Sequence, residues 1–120
     1  MKMNVGERLT LAAMLPAEVS MADHRILREL REALGVTEEE YRDFEIVQTK
    51  DDAGRMRITW NVERDTGTDI PIGPRAMEIV MAHFKVLDDM KAKVPLAALD
   101  LYERLQAETL APVEEKSDGQ

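Results

Sequence analysis

Val36-Thr37-Glu38-Glu39-Glu40-Tyr41 opens a stretch that continues through Glu45-Ile46-Val47, Asp51-Asp52-Ala53-Gly54 and Met56-Arg57-Ile58-Thr59-Trp60. Local chemistry assigns a helix start, a strand pair and a turn within it. Thr37 is an N-cap and Glu40 stands at N3, so the two complete a capping box. Val36 and Tyr41 are spaced for the hydrophobic staple across that box. Three glutamates in the first turn are what the helix dipole favours, so they need no ligand to explain them. Met56, Ile58, Trp60 and Val62 alternate with Arg57, Thr59 and Asn61, the period of two expected of a half-buried strand. Ile46 with Gln48, or Val47 with Thr49, supplies a weaker partner strand. Ala53-Gly54 behind two aspartates supplies the turn.

Upstream, the spacing predicts two longer helices. Asn4 can cap the first, Glu7 suits both the capping box and the dipole, and Pro16 ends it. In the second, from Ser20 or Asp23 to Gly35, Ile26, Leu27, Leu30, Ala33 and Leu34 share one buried face. Arg25, Arg28 and Arg31 lie on its exposed side among Glu29 and Glu32. Two helices followed by a hairpin is also the order of a winged helix-turn-helix. Yet the helix in the recognition position carries Glu38, Glu39, Glu40 and Asp43 against one arginine.

Downstream, Asp69-Ile70-Pro71-Ile72 is an edge strand at most, because proline cannot donate to a ladder. Gly73-Pro74 begins a long helix running to about Ala92, with proline at N1. It carries two apolar stripes: Met77, Val80, Met81, Phe84 and Leu87, and beside them Ile79, His83, Val86 and Met90. A helix apolar over so much of its girth is a central core helix or one wall of a dimer. Pro95 opens a last helix in which Asp100 and Arg104 are spaced for an i,i+4 pair. The segment 111–120 has too little apolar content to pack and is expected to be a disordered acidic tail.

Composition narrows the function classes. A chain of 120 residues with 44 % hydrophobic content is one domain able to bury a core. Sixteen basic residues against 24 acidic ones give a net charge of −8, which repels phosphate and makes nucleic acid an unfavoured partner. The absence of cysteine excludes disulfides and thiolate metal sites. No apolar run approaches a membrane span, and charge near the N-terminus argues against a signal peptide, so a cytoplasmic protein is expected. Eight methionines against one tryptophan, two tyrosines and two phenylalanines suggest a soft core or an adaptable contact surface.

Candidate chemistry is sparse. His24 and His83 stand alone, without ligand-spaced companions, so no metal is expected. The six glycines are scattered and form no phosphate loop. Asp51-Asp52 lacks the alternating oxygens of a calcium loop. No catalytic residue and no cofactor is assigned, and the chain is read as a non-enzyme. The acidic run Glu38, Glu39, Glu40 and Asp43 is the candidate partner-binding surface. Carboxylates on a helix can also imitate duplex phosphates, although the interleaved arginine argues against mimicry. Arg25, Arg28 and Arg31 with Arg55 and Arg57 form the one possible basic face, and Glu29 and Glu32 dilute it, so solvated ion pairing is the expected use.

The elements Glu7-Arg8-Leu9-Thr10-Leu11, Met14-Leu15-Pro16, Leu27-Arg28-Glu29-Leu30-Arg31-Glu32, Thr37-Glu38-Glu39-Glu40, Ile58-Thr59-Trp60-Asn61 and Leu101-Tyr102-Glu103 together resemble a small phage or prophage protein family of unknown function. The resemblance spans residues 5 to 106 and rests mainly on helix starts and core positions. It implies viral or prophage origin and action inside a bacterial host cell, and carries no catalytic residues.

The expectation is therefore an α+β domain over 1–110. It has a helical N-terminal part, a β-hairpin or three-stranded antiparallel sheet, and two C-terminal helices, the long one covering the sheet. The expected function is that of an acidic accessory protein acting by contact with a protein partner, as a homodimer walled by Ile79, His83, Val86 and Met90. Inhibition of a host DNA-binding or defence enzyme by charge mimicry, and a winged-helix DNA-binding regulator, are the alternatives.

Overall fold

The computed structural model describes residues 1–110; the expected tail at 111–120 lies outside the described residues. The element order is β1 (Lys2–Met3), α1 (Val5–Met14), α2 (Met21–Leu34), α3 (Glu38–Asp43), β2 (Val47–Lys50), β3 (Met56–Thr59), β4 (Thr68–Asp69), α4 (Pro74–Asp89) and α5 (Leu96–Leu110). The fold is α+β, helical with two separate two-stranded antiparallel sheets.

Local signals fix the helix starts. Asn4 and Glu7 close a capping box on α1, as Thr37 and Glu40 do on α3, and the Ser20 side chain caps α2 by accepting from the Asp23 N–H. Pro74 occupies the first turn of α4, where its missing N–H costs nothing.

The core lies between the helices. Leu11 and Leu15, Leu27, Leu30 and Leu34, Val80 and Phe84, and Leu101 and Leu105 join with Met3 and Ile70 from the small β1–β4 pair. Phe84 of α4 stacks on Tyr102 of α5 at a centroid separation of 5.3 Å. Deep burial of leucines on α1, α2 and α5, with Ile79, Val80 and Phe84 of α4, is the main stabilising contribution, at about 25 cal/mol per Å² of apolar surface removed from water.

Of the two expected layouts the β-hairpin is formed and the three-stranded sheet is not, and the placing of the long helix over the sheet needs correction. The strand beginning near Asp69 pairs with β1 at the chain start, not with the hairpin: Lys2 is opposite Asp69 and Met3 opposite Thr68. The long helix α4 packs on α2 and α5 and covers no sheet. Val80 and Phe84 of the first stripe and Ile79 of the second are buried against these helices.

The β2–β3 hairpin consequently projects from the helical body. Its register, Val47 opposite Thr59 and Lys50 opposite Met56, puts Gln48, Lys50, Met56 and Ile58 on one face. Of the residues in β2 and β3 only Ile58 is even half-buried. The turn is local: Asp51 Oδ1 accepts from the N–H groups of Ala53 and Arg55 at 2.9 Å, and Gly54 adopts φ +82°. At its base the hairpin is tied by Asn61 N–H to the Phe44 carbonyl at 2.8 Å and by Gln48 to the Tyr41 hydroxyl at 2.8 Å.

Candidate functional site

The acidic start of α3 divides into two parts. Glu38, Glu39 and Asp43 are exposed, whereas Glu40 is turned into the protein. There Arg8 of α1, with 2 % of its surface exposed, donates to both Glu40 carboxylate oxygens at 2.9 and 3.1 Å. The same guanidinium donates to the carbonyls of Leu34, at 3.2 Å, and Gly35 at the end of α2. Thr68 Oγ1 and the Thr37 N–H donate to Glu40 as well, at 2.8 and 2.9 Å. These bonds, led by the Arg8 contact, outweigh the burial that opposes ionisation and hold the Glu40 carboxyl at about 2, against an ordinary 4.5. One ion pair thus joins α1, the end of α2, the start of α3 and β4. Glu40 has a structural task and is not available to the candidate partner surface, which is reduced to Glu38, Glu39 and Asp43.

The stripe assigned to a dimer wall is also split. Ile79 belongs to the core and His83 is half-buried, while Val86 and Met90 are exposed. Exposure continues past the end of α4, through Val94, Leu96 and Leu99 at the start of α5. Among the described residues, most of the large exposed hydrophobics fall within this one turn of chain. Between them Phe84, Leu87, Val94, Ala98, Leu99 and Tyr102 line a cleft of about 100 Å³. Sequence reasoning took Val86 and Met90 as part of a helix wall and missed the other three residues. Their signal, a run of apolar positions around Pro95, reads equally well as a helix start.

Arg25, Arg28 and Arg31 do not pair with Glu29 and Glu32. No ion pair involves any of the three among the described residues, and Arg31 donates to the Pro16 carbonyl at 3.3 Å. In each Arg–Glu i,i+4 pair the arginine precedes the glutamate, the weaker order on a helix. With Met21 and His24 they line an open hollow of about 480 Å³ to which the hairpin contributes nothing. Arg55 is instead paired with Asp51 inside the hairpin turn, at 3.0 Å. The arginines of α2 and the hairpin therefore do not form one basic face.

A larger cleft, about 570 Å³, opens between α1, α5 and Trp60. Leu9, Ala97, Leu101 and the indole give it apolar walls, and Glu7, Thr10, Asp100 and Arg104 its polar ones. The bare α-carbon of Gly6 lets the indole come close: a Cβ there would lie 3.3 Å from Trp60 Cζ2. The Asp100–Arg104 pair expected from sequence is not made. Arg104 reaches instead to the Glu7 carboxylate and, at 2.8 Å, to the Lys2 carbonyl. Glu7 is fully engaged, since its other oxygen accepts from the Asn4 N–H at 3.0 Å.

Among the described residues no cluster of three or more histidine, aspartate or glutamate side chains is placed to hold a metal, and no helix is long and apolar enough to cross a membrane. One buried oxygen is left over: Asp65 accepts from the Val5 N–H at 2.7 Å through Oδ2, while Oδ1 has no partner. No protein-family model, curated protein or solved structure matches the chain.

Proposed function

We propose that this chain is a non-enzymatic interaction protein that pairs with a second copy of itself through the α4–α5 corner. The carrying observation is the exposure of Met90, Val94, Leu96 and Leu99, with Val86 one turn back on α4, beside a shallow cleft that Val94 and Leu99 help to line. Large apolar side chains clustered in solvent are a mark of docking faces, whereas single scattered ones are not.

Charge supports a second copy as the occupant. Asp88, Lys91 and Lys93 flank the patch without ion-pair partners among the described residues. In a two-fold contact the lysines of one copy can face Asp88 of the other, and Leu96 of each can enter the other's cleft. Glu38, Glu39 and Asp43 then remain free to meet a different protein. The sequence pattern supports a phage or prophage accessory role in a bacterial cell.

Sedimentation velocity at micromolar concentration tests the pairing. The wild type is expected to sediment as a dimer and the double variant Met90→Glu/Leu96→Glu as a monomer. A wild type that stays monomeric, or a double variant that stays dimeric, contradicts the reading.

A further inference from the structure

The cleft beside Trp60 is built for a different guest from the one at the corner. We propose that it receives a basic side chain, arginine above lysine, presented by a partner protein. The inference rests on the reading of this chain as an interaction protein. It concerns a separate surface on α1 and α5.

The geometry narrows the guest by elimination of charge. Two of the charged groups lining the cleft, Glu7 and Arg104, neutralise each other. Asp100 has no ion-pair partner among the described residues, because Arg104 has turned to Glu7 and Lys2. One uncompensated carboxylate thus stands on the rim of an apolar cleft that has an indole for a wall. No cation of the described residues stacks on that indole.

An anionic guest would meet Asp100 and the net charge of −8 unfavourably. A neutral apolar guest would gain nothing from the exposed Asp100 carboxylate on the rim. A cation on an apolar stem suits both parts, with its methylenes on Leu9 and Ala97 and its head at Asp100. Arginine suits the site better than lysine, because its planar guanidinium stacks on an indole and binds a carboxylate with two parallel hydrogen bonds. The volume, about 570 Å³, leaves room for the flanking peptide backbone.

Trp60 is the only tryptophan in the chain, so its emission reports on this cleft directly. The probes are blocked pentapeptides of glycine with one central arginine, lysine or citrulline, the last being the neutral near-isostere of arginine. The arginine peptide is expected to change the emission saturably. Lysine is expected to bind more weakly, and citrulline weaker still. Asp100→Asn, at an exposed helix position, is expected to keep the helical circular dichroism and weaken arginine binding by about three- to fivefold, the scale of an exposed ion pair. The variant should discriminate arginine from citrulline less than the wild type does. Equal binding of arginine and citrulline by the wild type, or arginine binding unaffected by Asp100→Asn, overturns the proposal. Absence of arginine binding also overturns it, and if the Met90→Glu/Leu96→Glu variant still loses the dimer, the interaction reading stands without it.

Discussion

The Arg8–Glu40 junction and the α4–α5 corner handle their awkward residues in opposite ways. At the junction two full charges are taken from water and given partners, from α2, α3 and β4. At the corner, large apolar side chains are left in water: Leu96 is 72 % exposed and Met90 70 %. A buried charge that loses its partner is costly, whereas an exposed methionine that is replaced costs the fold little. The difference separates residues that make the structure from residues the structure presents, and it predicts where mutation will hurt.

The largest effect is expected at the junction. Arg8→Ala leaves Glu40 inward-facing without its cation and should lower the unfolding free energy by about 3–5 kcal/mol, measured by urea denaturation. That is a large share of the roughly 5–15 kcal/mol typical of a domain. A loss below 1 kcal/mol would mean the pair is incidental.

Acid should act on the same bond. The Glu40 carboxyl lies at about 2 when folded against an ordinary 4.5, so its contribution is fully present above 4.5 and is lost as pH falls through the folded value. The full loss amounts to about 3 kcal/mol. Stability measured from pH 6 to pH 2 should fall along this limb, and Glu40→Gln should flatten it. An unchanged acid limb in that variant would assign the acid sensitivity to other carboxylates.

A smaller, local effect is expected in the hairpin. Gly54 adopts φ +82°, so Gly54→Ala should cost about 1 kcal/mol, in the turn. Since β2 and β3 pack mainly on each other, faster amide exchange should be confined to residues 47–59. Loss of protection across the helices would show the hairpin to be part of the core unit. The smallest effect on folding belongs to the corner, where Met90→Glu/Leu96→Glu should change monomer stability by no more than about 0.5 kcal/mol.

These contrasts also mark what could be seen in the sequence. The capping boxes at Asn4 and Thr37, the turn before Arg55 and proline at the start of α4 were legible because each depends on neighbours a few residues apart. Arg8 was not, since an arginine in a first turn reads as solvated. Its spacing with Val5 and Leu11 on one helix face was the available signal. The period of two in Met56, Ile58 and Trp60 states that one hairpin face is apolar, and says nothing about whether anything covers it. Arg104 could pair locally with Asp100, and only the three-dimensional approach of α1 makes Glu7 the partner chosen. Which of the two stripes on α4 would be buried depended likewise on where α2 and α5 came to rest.

The central claim is that the α4–α5 corner is the face on which two copies meet. A dilution series followed by methyl NMR tests it residue by residue. The account predicts that the methyl signals of Val86, Val94, Leu96 and Leu99 move together between micromolar and high-micromolar concentration, while those of Val47 and Ile58 on the hairpin stay fixed. Corner methyls that do not move with concentration, or hairpin methyls that move in their place, would contradict it.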